Sequence, residues 1–204
     1  DAGSVAAADL NTINGKTSGL VTATAATTIT GTASALTTLI AAEADSGNAV
    51  NLDGDFVVTV DAGSVAAADL NTINGKTSGL VTATAATTIT GTVSALTTLI
   101  AAEGAIGNAV NLDGDFAVTV SSGSASVSQV NTLTDATTGI VTATVTEGDI
   151  STLAGISESG NKLSITVTDS SVAADAINTL DSKTTIGVSV TSSTITGTLS
   201  DITT

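Results

Sequence analysis

Residues 1–60 and 61–120 are one sequence written twice. They differ only at Ala33/Val93, Ala44/Gly104, Asp45/Ala105, Ser46/Ile106 and Val57/Ala117. That duplication narrows the fold before any propensity is considered. A fixed internal period marks a solenoid or an array, in which each unit is too thin to bury its own apolar face and closes it against a neighbour. Residues 121–204 carry the same phrases at altered spacing. The expected organisation is repeat 1 over 1–60, repeat 2 over 61–120, and degenerate repeats over 121–204. Near-identity of the first two implies recent duplication or homogenisation.

Each repeat holds two related halves. The phrase Ser4-Val-Ala-Ala-Ala-Asp-Leu-Asn-Thr-Ile13 has cousins in Ala33-Ser-Ala-Leu-Thr-Thr-Leu-Ile40, in 126–133, in 172–180 and in 199–204. Apolar residues fall at helical spacing in Ala6, Leu10 and Ile13, and again in Leu36, Leu39 and Ile40. Ser4 and Thr32 are suited to cap the first turns. These are short helices over Ser4–Asn14 and Ala33–Ala42, with copies at Ser64–Asn74 and Val93–Ala102. None is long enough to stand alone.

Between them the period drops to two. Phe56, Val58 and Val60 share one face of a strand, and Val57 and Thr59 the other. Thr22, Thr24, Thr28 and Thr30 alternate with apolar residues, and β-branched Thr suits the solvated face of a pleated strand. Gly15, Gly19, Gly31, Gly47 and Gly54 punctuate the corners. The half-repeat reads strand, corner, strand, short helix, loop. The expected fold is therefore a β-rich repeat solenoid with short helices. It has two β faces and one short-helix face per coil, about seven coils, and no single globular core. The rival is a set of β-hairpins, since Asn51-Leu-Asp-Gly-Asp-Phe56 contains the Asp-Gly pair favoured by two-residue turns.

Composition agrees with thin layers and removes much chemistry. Hydrophobic residues make up 42% of the chain, too many for a disordered acidic tail, yet Phe56 and Phe116 are its only aromatics. With no Cys or His there is no disulfide framework, no zinc-type site and no Ser-His or Cys-His nucleophile pair. Four Lys and no Arg, against a net charge of -15, give no basic footprint for nucleic acid. The longest uncharged run, between Lys16 and Glu43, is dense in Thr and interrupted by Gly19 and Gly31. It lacks the continuous apolar character of a membrane span. A chain without Met that opens on a repeat boundary and stops within the phrase Asp201-Ile202-Thr203-Thr204 reads as a piece of a longer polypeptide. Acidic, Cys-free and Thr-rich, it fits an extracellular or cell-surface setting.

The phrases Asp9-Leu-Asn-Thr-Ile-Asn-Gly-Lys-Thr-Ser-Gly19 and Thr28-Ile-Thr-Gly-Thr-Ala-Ser-Ala-Leu-Thr-Thr-Leu39 resemble the tandem repeats of very large secreted or cell-surface proteins of marine cyanobacteria. The resemblance spans nearly the whole chain. It implies a surface, matrix or filament role, sometimes linked to adhesion or motility, and offers no catalytic residues to carry over.

The most suggestive polar cluster is Asp53-Gly54-Asp55 with Asn51, repeated as Asn111, Asp113 and Asp115. Paired carboxylates on repeating turns suit Ca²⁺, although the EF-hand spacing and the Gly-Gly-x-Gly-x-Asp nonapeptide are absent. Solvated turn carboxylates are the plainer explanation. Catalysis is not expected, because a paired-carboxylate site is rarely duplicated at each repeat and the aromatic platforms of sugar clefts are missing. The sequence thus predicts a structural tandem-repeat module that gives reach, rigidity and end-to-end association with neighbouring repeats or copies of itself. The alternative is a calcium-dependent adhesin repeat binding a surface or glycan, with Asp53, Asp55, Asp113 and Asp115 as metal ligands.

Overall fold

A computed structural model describes residues 3–43, 49–103 and 109–203. Gly47, expected at a corner, lies outside them, as do three of the five positions that distinguish the repeats. The first repeat runs β1 (Gly3–Ala6), α1 (Ala7–Asn14), β2 (Val21–Thr22), β3 (Ala26–Gly31), α2 (Ala33–Glu43), β4 (Val50–Asn51) and β5 (Val57–Val60). The second follows the same order: β6 (Gly63–Ala66), α3 (Ala67–Asn74), β7 (Val81–Thr82), β8 (Ala86–Thr92), α4 (Val93–Glu103), β9 (Val110–Asn111) and β10 (Ala117–Ser122). Then come α5 (Val127–Asp135), β11 (Val141–Thr144), α6 (Ile150–Leu153), β12 (Lys162–Ser164), β13 (Thr166–Val167), β14 (Ser171–Ala173), α7 (Ala174–Asp181), β15 (Ser189–Val190), β16 (Thr194–Thr196) and α8 (Leu199–Thr203).

The architecture is mixed α/β, with several parallel sheets, eight helices and no closed barrel among the described residues. Among the described residues helices hold slightly more residues than strands, so the strands and short helices expected are both present in a mixed rather than β-rich balance. The hairpin alternative also fails. β4 and β5 flank the Asp53-Gly54 turn but do not pair with each other: β4 pairs with β2, and β5 with β3 and β7, all in parallel.

Two compact units divide the chain. The first comprises Asp1–Thr90 with Thr98–Phe116. Its main sheet has the order β1-β3-β5-β7-β9, so each strand pairs with one that follows after a crossover. Register explains the sequence alternation. Val5, Ile29, Val58, Val81 and Val110 form one cross-strand row, and Ala6, Thr30, Thr59, Thr82 and Asn111 form the next. Ile29, Val58, Val81 and Val110 are buried, while Thr59 is exposed and Thr30 and Thr82 are half-buried. Period two turns the apolar row toward the core and its neighbour away from it. α1 packs against α2, and α2 against α3.

Helix starts depart from expectation. Ser4 lies in β1, and α1 begins at Ala7 after an extended Ala6 with no side-chain cap. Consequently Ala7, not Ala6, is buried beside Leu10. The Val5 and Ala6 backbone is engaged in parallel pairing with β3, and this contact displaces the first turn by three residues. Thr32 behaves as expected, its Oγ1 accepting the Ala35 N–H at 3.2 Å.

The second unit comprises Gly91–Thr97 with Ala117–Thr204. Here β10, β11 and β12 pair in parallel, as do β13 with β15 and β14 with β16. Its core gathers Val127, Val130, Leu153, Leu163, Val172 and Leu180 among others. α5 opens with a reciprocal capping box, Ser126 Oγ accepting from Gln129 N and Gln129 Oε1 from Ser126 N.

Candidate functional site

The most organised polar chemistry lies where one half-repeat meets the next. α1, α5 and α7 each carry an Asn-Thr-Ile or Asn-Thr-Leu phrase whose Asn reaches the following helical segment. Asn11 Nδ2 donates to Ala35 O at 2.9 Å, Asn131 Nδ2 to Gly155 O at 2.8 Å, and Asn178 Nδ2 to Asp201 O at 2.8 Å. The Asn sits on the helix flank, one residue after the Leu10, Val130 or Ile177 position, and ties neighbouring helix ends through a main-chain carbonyl.

A second device recurs in the loops after the helices. In the first unit Thr77, 3% exposed, donates from Oγ1 to Phe56 O, and Ser78 N donates to Gly54 O at 2.8 Å. In the second, Thr184 Oγ1 donates to Leu163 O at 2.9 Å and accepts from Leu163 N at 3.0 Å, and Thr185 N donates to Asn161 O at 2.8 Å. Both sets join residues at the same sequence offsets. A hydroxyl that both donates and accepts is well suited to clip a turn whose backbone has left its ladder. The approach is close. A Cβ on Gly79 would stand 2.4 Å from Phe56 O and 2.5 Å from Asp55 O, so only Gly fits at this point.

Carboxylates serve the same architecture. Glu147 Oε2 accepts the Val127 N–H at the start of α5 at 3.0 Å, and Asp169 Oδ2 accepts the Ile150 N–H at the start of α6 at 2.8 Å. Each satisfies a backbone donor that a helix N-terminus leaves open, where negative charge is favoured. The Ser151 hydroxyl, followed by the Thr152 amide, holds the Asp149 carboxyl below its ordinary range. Thr198 does the same for Asp201. Burial pushes Glu103 upward, against an opposing bond from the Leu112 backbone.

The expected metal residues lie apart from this machinery. Asp53, Asp55, Asp113 and Asp115 are all exposed. Asp53 Oδ1 accepts the Gly54 N–H and Asp113 Oδ1 the Gly114 N–H, each at 2.8 Å, an Asp bonding within its own turn. Among the described residues no group of three or more acidic side chains is arranged to hold a metal ion. In the second unit a groove of about 350 Å³ lies between α6 and α7, lined by Ile150, Leu153, Ala176, Leu180 and Lys183. α6 has four residues and α2 has 11. Lys183 Nζ is committed to Ser157 O at 2.9 Å.

Sequence reasoning places only a corner at Gly19 and misses the clip. Its signal is present: Thr17-Ser-Gly-Leu20, Thr77-Ser-Gly-Leu80 and Thr137-Thr-Gly-Ile140 recur after the alternate helices α1, α3 and α5. Among the described residues no helix is long and apolar enough to cross a membrane. Neither a protein-family model, nor a curated protein, nor a solved structure matches this chain.

Proposed function

We propose that the chain is a non-catalytic structural module of an extracellular or cell-surface protein or filament, in which half-repeats stack as coils of a solenoid. Its task is reach and rigidity, and it associates end to end with neighbouring repeats or copies of itself. One observation carries this reading: the Thr clip joins a loop to a segment 21 residues earlier at the same offset in both units, beside strands that pair in parallel. Contacts spent on holding one repeat to the next are what a spacer needs. The carboxylates described above that bind backbone cap helices and turns, which supports a structural use of much of the acidic charge. The likeness to cyanobacterial surface repeats supports a setting outside the cell.

The test is a series of proteins carrying increasing numbers of the 60-residue repeat, measured by small-angle X-ray scattering. Maximum dimension should rise linearly with repeat number, whereas growth as the cube root would overturn the solenoid. The calcium-dependent adhesin is separated in the same samples. Binding of Ca²⁺ by Asp53, Asp55, Asp113 and Asp115 would raise the melting temperature with metal concentration, and the structural reading expects no such rise.

A further inference from the structure

The two copies supply an internal comparison, because identical residues sit in different surroundings. Ile73 is fully buried, while Ile13, its twin, is 52% exposed. Thr77 is buried and Thr17 exposed; Ala83 is buried and Ala23 half-buried. Sequence cannot cause these differences, so neighbours must. Over the second copy lie α2 and the turn that leads into β5. Phe56 O and Gly54 O receive Thr77 Oγ1–H and Ser78 N–H, and Val58 N donates to Leu80 O at 2.9 Å. β7 consequently lies between β5 and β9, whereas β2 pairs with β4 alone among the described residues.

In the first copy the same socket residues face outward. Thr17 Oγ1 accepts the local Gly19 N–H, at 3.0 Å. A Cβ on Gly19 would meet nothing closer than Thr17 Oγ1 at 3.4 Å, where the one on Gly79 would strike backbone. Among the described residues β2 keeps an open edge on the side where β7 carries β5. An open edge beside exposed apolar residues is a template for a further strand.

We infer that the face formed by Ile13, Thr17, Ser18, Leu20 and β2 is a docking site for a further repeat of this sequence. The repeat binds through its Asn-Leu-Asp-Gly-Asp-Phe turn and the strand that follows. Thr17 Oγ1–H goes to the carbonyl of the incoming Phe, Ser18 N–H to that of the incoming Gly, and the incoming strand adds to β2 in parallel. The occupant is fixed by chemistry: this same turn already fills the twin socket at Thr77 and Ser78, with α2 of the same repeat packed on the helix that carries Ile73. The inference rests on the stacked reading above and specifies which surface stacks on which segment.

The chain has no Cys, so single-cysteine variants give clean labelling. Ile13→Cys and Ile73→Cys are compared in the 204-residue chain and in the same chain with one more repeat copy fused ahead of Asp1. In the shorter protein the thiol of Ile13→Cys should react with a maleimide about 100-fold faster than that of Ile73→Cys. In the extended protein the Ile13→Cys variant should slow to the rate of its twin. If Ile13→Cys stays fast there, with Ile73→Cys slow in both proteins, the docking site is overturned and the stacked reading stands. Fast labelling of Ile73→Cys in both proteins overturns the stacked reading and the inference with it. Amide exchange at Ser18 against Ser78, followed by NMR without substitution, gives the same comparison should a cysteine variant fail to fold.

Discussion

Gly19→Ala and Gly79→Ala are the same change in the same local sequence, and the structure assigns them opposite signs. At position 79 the new methyl would stand 2.4 Å from Phe56 O. Ordinary contact needs roughly 3.4 Å, so the Asp55–Phe56 backbone must retreat by about 1 Å. That movement weakens three bonds: Thr77 Oγ1 to Phe56 O, Ser78 N to Gly54 O and Val58 N to Leu80 O. At about 1 kcal/mol each, loss of two costs about 2 kcal/mol, and overpacking adds about 1–3 kcal/mol. The expected destabilisation is about 3–5 kcal/mol. At position 19 the methyl meets only Thr17 Oγ1, at an ordinary contact of 3.4 Å, and Gly19 is not among the glycines with positive φ. Alanine there removes freedom from the unfolded chain and should stabilise by about 0.4–1 kcal/mol. With neither Trp nor Tyr in the chain, urea unfolding is followed by far-ultraviolet circular dichroism, an unchanged m-value keeping the variants comparable. Equal effects at the two positions, or a neutral Gly79→Ala, would refute the argument that the turn sits on one copy and not the other.

Other outcomes follow from the same geometry. Leu39→Asp puts an unpaired charge at a site 1% exposed and should cost more than about 3 kcal/mol, while exposed Thr24→Asp stays within about 0.5 kcal/mol by the same assay. Thr77→Val removes a buried hydroxyl that both donates to Phe56 O and accepts from Gly79 N, costing about 1–3 kcal/mol, whereas exposed Thr17→Val is close to neutral. Asp149 has a folded-state pKa held below its ordinary value, so its contribution is present above the unfolded value near pH 4 and lost as pH falls through the folded one. Melting curves of the parent and of Asp149→Asn should differ at about pH 6 and converge below about pH 3.

Much of the fold was legible because period and burial coincide. Phe56, Val58 and Val60 are buried with Thr59 outside, as alternation requires, and Leu36, Leu39 and Ile40 are buried on α2. Thr32 was readable as a cap because the bond it makes is local, to the Ala35 N–H three residues on. Ser4 misled for the opposite reason: parallel pairing of β1 with β3 holds that backbone extended, and tertiary contact overrides capping preference. Ile13 was expected in the core and is half-exposed, although Ile73 with the same flanking residues is buried. No periodicity analysis separates those two, because they differ only in what lies next to them. The clip stayed hidden because a Thr-Ser-Gly corner and a Thr-Ser-Gly socket are spelled alike. They become distinguishable only when Gly54 and Phe56 are brought beside Ser78 and Thr77.

That contrast bears on where the specification of this protein resides. Where burial is fixed by the whole chain, duplicated sequence gains different partners and drifts apart. Here the same octapeptide forms α1 and α3 with the same extended entry at Ala6 and Ala66, φ −79° and ψ 133° in both, and only the covered surface differs. Local conformation is thus set within the repeat, and burial by what lies beside it. On the stacked reading proposed above, stability is a sum of intrinsic terms and nearest-neighbour terms. The two described positions that distinguish the copies fit this division. Ala33 and Val93 are both buried, and Ala117, like Val57, is half-buried, so neither change alters which surface a repeat offers to its neighbour. On the docking proposal, an interface that every repeat shares also explains why the socket residues Ile13, Thr17, Ser18, Gly19 and Leu20 recur unchanged as Ile73, Thr77, Ser78, Gly79 and Leu80. Each must accept the turn of another repeat, and a change in one copy leaves a contact unmatched rather than creating a new one.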